Sequence, residues 1–521
     1  MSPPVRRPLR DGRPIPDQST IPARLTGPTA ELGSVTVMAG ARETGPDRQI
    51  PERLIRLGPA AAAAFTTVVC LPGLGSRGLD GDEVFAALMA QRPWGQTWRI
   101  LTSEQANMSL HQVLLWLWAH AFGSSEIALR FPSLAAAAIA SALFFRLAAR
   151  LGGFSQAVVA GLVLTLNGFF IHYAQEARAY SLMVMVLIAA ALTLLNALET
   201  NRWTWWVANA VLISAAMYCH FYSAFVVVGF GVAILAHARF RFVWRRALAV
   251  HAAALVLVSP LLAFLAFGGD KGQIDWIWPL SFTTLALNAR FFAGGSVALA
   301  LLLAALVTVG MVGGFRQRKR SSASWTAIFL GAWFAAPVTL AILVSVTVKP
   351  IFVAYYLIVS LPPLCLLVSR GALALKGPAR FGVIAALIVL LGNTAVNQYH
   401  SNRDTGFRGL EAAMVASSQP HDVVAFSPFS FRRSFEFYLL RRGDGARLQP
   451  ISGTPPWGQF SLHLNDRRPD VADPCSRVPP GGRLWLVGQP QTCTTTAHMV
   501  LLATYGAGES TGSLWQKPSS P

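Results

Sequence analysis

Residues 180–198 read YSLMVMVLIAAALTLLNAL, a run without one charged side chain. Coiled as a helix rising about 1.5 Å per residue, such a run reaches across a bilayer core about 30 Å thick. Comparable runs recur along the 521-residue chain, which is 53% hydrophobic and has a mean hydropathy of +0.47. These runs imply an all-α polytopic membrane protein and leave little room for a soluble one. A net charge of +19 would suggest nucleic acid in a soluble protein. Here the arginines cluster between apolar runs, as the positive-inside bias requires, so no nucleic-acid partner is expected. No Walker loop, CxxC or HExxH motif and no repeat accompanies them.

Outward from this run, the charges thread about eleven spans. Before it come 57–74, 127–147 and 156–173; after it, Trp203, Trp205 and Trp206 suggest an interfacial belt. The fifth and sixth spans meet at Tyr218-Cys219-His220-Phe221-Tyr222. The seventh, 249–267, opens on an outer loop carrying Asp270, Lys271, Asp275, Trp276 and Trp278, and the eighth ends at Arg316, Arg318, Lys319 and Arg320. The ninth, 326–348, leads to Lys349-Pro350, the tenth ends at Arg370, and the eleventh covers 381–396. Residues 1–56, rich in Pro and Arg, read as a disordered cytoplasmic tail. Residues 57–397 form the transmembrane domain, with an outer loop at 75–126. In 398–521 the apolar runs shorten to strand length (VVAF, RLWLVG, MVLLATY), which predicts a small extracytoplasmic α/β or β-rich domain. Cys475 and Cys493 are its two cysteines, and a bridge between them would suit an oxidising compartment.

Three polar constellations fall on the outer face of this threading. The first is the loop 79–111, LDGDEVFAALMAQRPWGQTWRILTSEQANMSLH, with Asp80, Asp82, Glu83, Glu104 and Asn107 beside Trp94, Trp98 and Arg99, in a chain only 13% charged. The second runs from Asn167 through Tyr173, Glu176 and Arg178 to Tyr180; the third is His220 among its aromatic neighbours. Charges at the ends of spans are costly unless paired or hydrated, and they mark ligand paths. Without an ATP or nucleotide-sugar motif, a donor on this face must arrive already activated in the membrane. A polyprenyl-phosphate sugar meets that need. Its phosphate is a good leaving group, so transfer needs a cation for the departing charge and a carboxylate for the acceptor proton. Arg178 can supply the first and Asp82 the second.

The acidic pair Asp82-Glu83, then SEIALRFPS at 125–133, HYAQEARAYSL at 172–182 and the Tyr218–Tyr222 junction together resemble the bacterial protein-mannosyltransferase-like family of GT-C glycosyltransferases, over about residues 70–400. The resemblance implies a multi-pass cell-membrane enzyme that uses polyprenyl-phosphate sugars, with the acidic pair at its catalytic centre. Carried over by position, Asp82 is the base, Glu83 its neighbour and Arg178 a donor-phosphate contact, with His220 and Tyr173 as second-tier site residues; Glu176, Asn107 and His111 are further candidates for substrate contact. The chain also departs from the family pattern. Asp80 stands where many relatives have an aromatic residue, and Asn107-Met-Ser-Leu-His111 where many have His-Pro-Pro-Leu-Tyr. Tyr355-Tyr356 replaces a common Arg-Tyr pair, which leaves a second phosphate cation to Lys349 or Lys271.

Blander readings compete. An acidic residue before an apolar run is a common helix cap, a role open to Asp80, Asp82 and Glu83. Arg178 could snorkel to the interface, Glu176 could orient Tyr173 or Tyr180, and His220 could be a satisfied bundle histidine. Two adjacent carboxylates make a poor metal ligand set alone, so no metal or cofactor is assigned. A transporter or lipid flippase would also need charges near helix ends, but it predicts ionisable groups at the midplane and two related halves. A non-catalytic assembly protein would leave Asp82 dispensable. Neither the sugar nor the acceptor, whether envelope glycan, lipid or protein, can be read from these residues.

Overall fold

A computed structural model describes residues 52–103, 106–268, 274–316, 321–400, 406–458, 471, 473–488, 499–506 and 511–519. The expected tail up to residue 51, Glu104, Asp270, Lys271, Arg318, Lys319, Arg320 and Cys493 lie outside the described residues.

Among the described residues, eight helices are long and apolar enough to cross a membrane. Two features separate these eight helices from the eleven expected spans. The fifth and sixth are short helices, Trp203–Cys219 and Ser223–Leu235. The second and third belong to one helical stretch, Glu126–Thr165, broken at Gly152 and Gly153, the latter at φ +84°. Thr66 Oγ1 donates to Ser141 Oγ at 2.7 Å and lies 3.0 Å from Thr165 Oγ1. A straight helix would hold those two partners about 36 Å apart. The left-handed glycine therefore folds the stretch back into a hairpin, a conformation that a Cβ would oppose. The third expected span also ends early. Asn167 caps a separate short helix, Gly168–Ala174, its Oδ1 accepting from Phe169 N at 2.9 Å. The first helix begins at Glu52, inside the stretch the sequence assigns to the tail. Of the expected tryptophan belt, Trp203 is exposed, but Trp206 is fully buried and donates to Asn201 Oδ1 at 3.0 Å.

In lipid the bundle is held by close packing rather than by water exclusion, so small residues matter where helices cross. The helices Val297–Arg316 and Leu361–Ala374 meet through Gly310 and Gly371. A Cβ at Gly371 would overlap the Leu306 carbonyl, and one at Gly310 the Leu367 carbonyl. Backbone cannot swing aside as a side chain can. Gly371→Ala is therefore expected to destabilise the protein by about 1–3 kcal/mol, read as a lower melting midpoint in detergent.

Among the described residues, the C-terminal domain is a five-stranded sheet with two helices, in agreement with the mixed α/β expectation. Its strands are β1 (Val423–Ser427), β2 (Gln449–Pro450), β3 (Arg483–Gly488), β4 (Val500–Tyr505) and β5 (Gly512–Gln516), in the order β2-β1-β3-β5-β4. The β1 strand pairs in parallel with β2 and β3, while β5 runs antiparallel to β3 and β4. Successive side chains of β3 alternate between two apolar cores, as a strand period of two requires. Leu484 and Leu486 face one with Trp515, and Trp485 and Val487 face the other with Phe426. Cys475 is disulfide-bonded, while Cys70, Cys219 and Cys365 are free thiols in the membrane domain.

The second of these cores does not stop at the domain. It takes in Phe435 and Leu439 of the helix Ser430–Arg442, then Leu79, Val84, Ala87 and Ala90 of the outer loop, then Leu129 and Ala177. Charges reinforce it at the rim, where Arg441 and Arg408 approach Glu126 at 3.2 and 3.7 Å. The C-terminal domain and the outer loop thus form one body.

Candidate active site

The outer loop is three helices: Gly81–Gln91, Trp94–Ser103 and Ser109–Phe122. Asp80 caps the first. Its Oδ1 accepts from Glu83 N at 2.7 Å, and its own N–H donates to Glu83 Oε2 at 3.2 Å, a reciprocal capping box. The capping role therefore belongs to Asp80 rather than to Asp82. Burial, then the charges of Glu83, Glu176 and Asp82, push the Asp80 carboxyl well above the usual carboxylate range.

Capping places Glu83 against Arg130, the arginine of SEIALRFPS. Arg130 Nε and Nη2 donate to the two Glu83 carboxylate oxygens at 2.7 and 2.6 Å. Its Nη1 donates to the carbonyls of Leu74 and Arg77, and Nη2 also to that of Gly78, at 2.8 to 3.0 Å. All five guanidinium protons are thereby used. Glu83 Oε1 accepts one more bond, from Ala177 N at 2.8 Å. Burial alone would raise the Glu83 carboxyl, but the hydrogen bonds and charge of Arg130, helped by Arg77 and the Ala177 N–H, outweigh it and hold Glu83 below its ordinary value.

This network sets the distance between the next two residues. Glu83 follows Asp82 on one element, and Ala177 precedes Arg178 on the other, so the Glu83–Ala177 bond brings their neighbours together. Arg178 Nη2 lies 3.1 Å from Asp82 Oδ2, with the Arg178 side chain 10% exposed and that of Asp82 50%. The two groups paired in the sequence argument thus share one site: a buried cation at its base and an accessible carboxylate at its mouth.

Aromatic rings wall the site. The Arg178 guanidinium lies over Tyr180 at 5.7 Å, and Tyr180 packs against Tyr173 at 4.6 Å and Tyr355 at 5.8 Å. Tyr355 adjoins Tyr356 at 4.7 Å and stacks on Trp276 at 6.2 Å; Tyr356 adjoins His220 at 4.5 Å. The Tyr355-Tyr356 pair that departs from the family pattern is therefore part of this wall. Asn107 joins it to the outer loop, its Oδ1 accepting from Phe221 N at 3.4 Å.

His111 and His220 are buried, and among the described residues neither His111 ring nitrogen nor His220 Nε2 has a hydrogen-bond partner. Buried polar atoms are costly when unpaired, so such nitrogens suit a polar ligand. Burial, then the charge of Arg178, lowers His111 to about 3, which keeps the ring neutral. Glu176 sits differently from the expectation that it orients a tyrosine. Its Oε1 meets His172 Nε2 at 2.6 Å and Arg77 at 3.9 Å, and burial raises it to about 8. Lys349 pairs with Asp275 at 2.7 Å, and Asp275 adjoins Trp276 of the wall. Among the described residues, no group of three or more His, Cys, Asp or Glu side chains could hold a metal ion.

Sequence reasoning gave Arg130 and Arg77 no role. The signal for Arg130 was in the quoted motif, an arginine in the first turns of an apolar span, where a charge must find a partner.

Over residues 109–264 the chain matches the family described as dolichyl-phosphate-mannose-protein mannosyltransferase. No curated protein matches it. Among solved structures it is similar to ArnT from Cupriavidus metallidurans, both bound to undecaprenyl phosphate and in the apo state. Each alignment covers 90% of this chain and 98% of that one, with a TM-score of 0.56 and 15% identity. The Archaeoglobus fulgidus oligosaccharyltransferase, in complex with zinc and sulfate, aligns over 75% of this chain and 62% of that one, with a TM-score of 0.46 and 12% identity. The likeness to ArnT shows the GT-C-like membrane fold. With the family match it bears out the resemblance to protein-mannosyltransferase-like membrane glycosyltransferases.

Proposed function

We propose that the protein is a glycosyltransferase that moves a sugar from a polyprenyl-phosphate donor to an acceptor on the extracytoplasmic side, with inversion at the anomeric carbon. The observation that carries this reading is the Asp82–Arg178 pair, 3.1 Å apart, with the carboxylate accessible and the cation buried. Undecaprenyl phosphate, bound in the ArnT structure, supports a polyprenyl-phosphate donor here. In this reading the N-terminus is cytoplasmic and the C-terminal domain extracytoplasmic.

The donor phosphate displaces Asp82 from Arg178 and takes the guanidinium for itself. Freed, Asp82 accepts the acceptor hydroxyl proton. The acceptor oxygen then bonds to the anomeric carbon while the bond from that carbon to the phosphate oxygen breaks. Its electron pair leaves with the polyprenyl phosphate, whose charge Arg178 holds. A preplaced cation of this kind is worth most where water is excluded, and the tyrosine wall around Arg178 provides that exclusion. His111 and His220 offer hydrogen bonds to sugar hydroxyls. Glu83 serves by position, since its oxygens are already engaged by Arg130, Ala177 and Asp80.

A deletion strain is expected to lack one sugar in its glycolipid and cell-wall profile, and the wild-type gene to restore it. Arg178→Gln, expressed at the wild-type level, is expected to restore about a hundredth or less of the transfer, the usual loss when one transition-state charge contact goes. An unchanged envelope profile in the deletion strain, or full restoration by Arg178→Gln, counts against the reading.

A further inference from the structure

The C-terminal domain reaches the acidic end of the site through the helix Ser430–Arg442. Leu79 N–H donates to Tyr438 Oη at 2.6 Å, one residue before the Asp80 cap. A Cβ at Gly81 would lie 3.8 Å from Ser434 Oγ, so this helix runs close beside the first turn of Gly81–Gln91. Arg433, next to Ser434, is buried, and its guanidinium lies over the Phe85 ring at 5.9 Å. Phe85 is three residues beyond Asp82 on that helix, hence on the same face. Burial pushes Arg433 down, and the two charges that oppose this are Asp82 and then Asp80. Arg433 thus lies along the side of the helix Gly81–Gln91 that carries Asp82, the carboxylate that Arg178 meets at 3.1 Å. Arg178 comes from the membrane domain and Arg433 from the C-terminal domain, and Asp80, Tyr180, Tyr355 and Tyr356 are among the other groups near Asp82.

We propose that Arg433 is a positioning residue: from the C-terminal domain it holds the Asp82 carboxylate jointly with Arg178, and it keeps that hold when a donor phosphate engages Arg178. The second clause rests on the roles given above to Asp82 and Arg178. A base paired only with Arg178 would lose its sole counter-charge at the moment the donor binds. With Arg433 behind it, Asp82 stays charge-paired and aimed. The C-terminal domain thereby becomes part of the catalytic apparatus, beyond any service as an acceptor platform.

Carbodiimide modification of Asp82 tests this directly, because the reagent attacks the protonated carboxyl. The full-length protein is placed in phosphatidylcholine vesicles at mildly acidic pH, and the modified residue is located by fragment mass spectrometry. Arg433→Gln is expected to raise the modification rate about tenfold, the effect of one pH unit on a carboxyl, and Arg433→Lys to restore most of the protection. Tyr438→Phe removes the Leu79 contact without altering charge, and it is expected to leave the rate near wild type. A wild-type rate in Arg433→Gln, or an equal rise in Tyr438→Phe, overturns the proposal. Added undecaprenyl phosphate is expected to raise the rate further in Arg433→Gln and little in wild type. Should the lipid change neither protein, the phosphate role of Arg178 falls with the second clause. The hold of Arg433 on Asp82 would still be decided by the lipid-free rates.

Discussion

Asp82→Asn is expected to lower sugar transfer from a polyprenyl-phosphate donor by about a hundred- to ten-thousand-fold, the range for losing a positioned general base. The amide keeps the shape of the carboxylate and can still accept a hydrogen bond from Arg178, so the wall of the site stays in place. Only the charge and the basicity go. Since Asp82 is half exposed, its ion pair contributes about 1 kcal/mol or less to stability. The variant should melt close to wild type. Binding of undecaprenyl phosphate should hold or tighten, because Arg178 no longer has a carboxylate competing for it. Loss of transfer with retained lipid binding is therefore the signature of a base. Wild-type transfer by Asp82→Asn would remove that role and favour a transporter or an assembly protein.

The helical bundle was legible because an apolar run of span length must satisfy its backbone hydrogen bonds internally in lipid, and a helix does so. Where the reading went astray, the cause was local backbone chemistry. Gly152-Gly153 and the Asn167-Gly168 cap decide where helices break, and hydropathy averages over both. The position of Asp82 opposite Arg178 was legible too, through the shared outer face of the two motifs. What joins them was not. The Glu83–Arg130 pair spans 47 residues and the Glu83–Ala177 bond 94, separations that no periodicity reports. For Arg433 the obstacle was of another kind. It lies in a helix whose apolar pattern is interrupted by charge, SFRRSFEFYLLRR, and its neighbours Arg441 and Arg442 pair with Glu126 and Glu411 in plain structural contacts. Nothing in the string separates the arginine that faces the site from those that dock the domain.

Breaking the Glu83–Arg130 pair is expected to be the most damaging single change to the fold of the site. Both side chains are essentially inaccessible to solvent, so Glu83→Gln leaves an uncompensated buried guanidinium, and Arg130→Gln a buried carboxylate. Each should cost about 3–5 kcal/mol. The double variant should lose less than the two losses combined, since each single change strands the other partner. It should not recover wild-type stability, because the carbonyls of Leu74, Arg77 and Gly78 also lose their donors. Acid provides an independent check. The folded protein holds Glu83 below its ordinary value, so its contribution is complete at neutral pH and disappears as the pH falls through that lowered value. The melting gap between wild type and Glu83→Gln, measured in detergent, should accordingly be wide at neutral pH and narrow in strong acid. Transfer should fall with stability in all three variants, because the Glu83–Ala177 bond sets the distance between Asp82 and Arg178. If Glu83→Gln instead melted like wild type and still lost transfer, Glu83 would have to act on the substrate itself, and the positioning role assigned to it would be withdrawn.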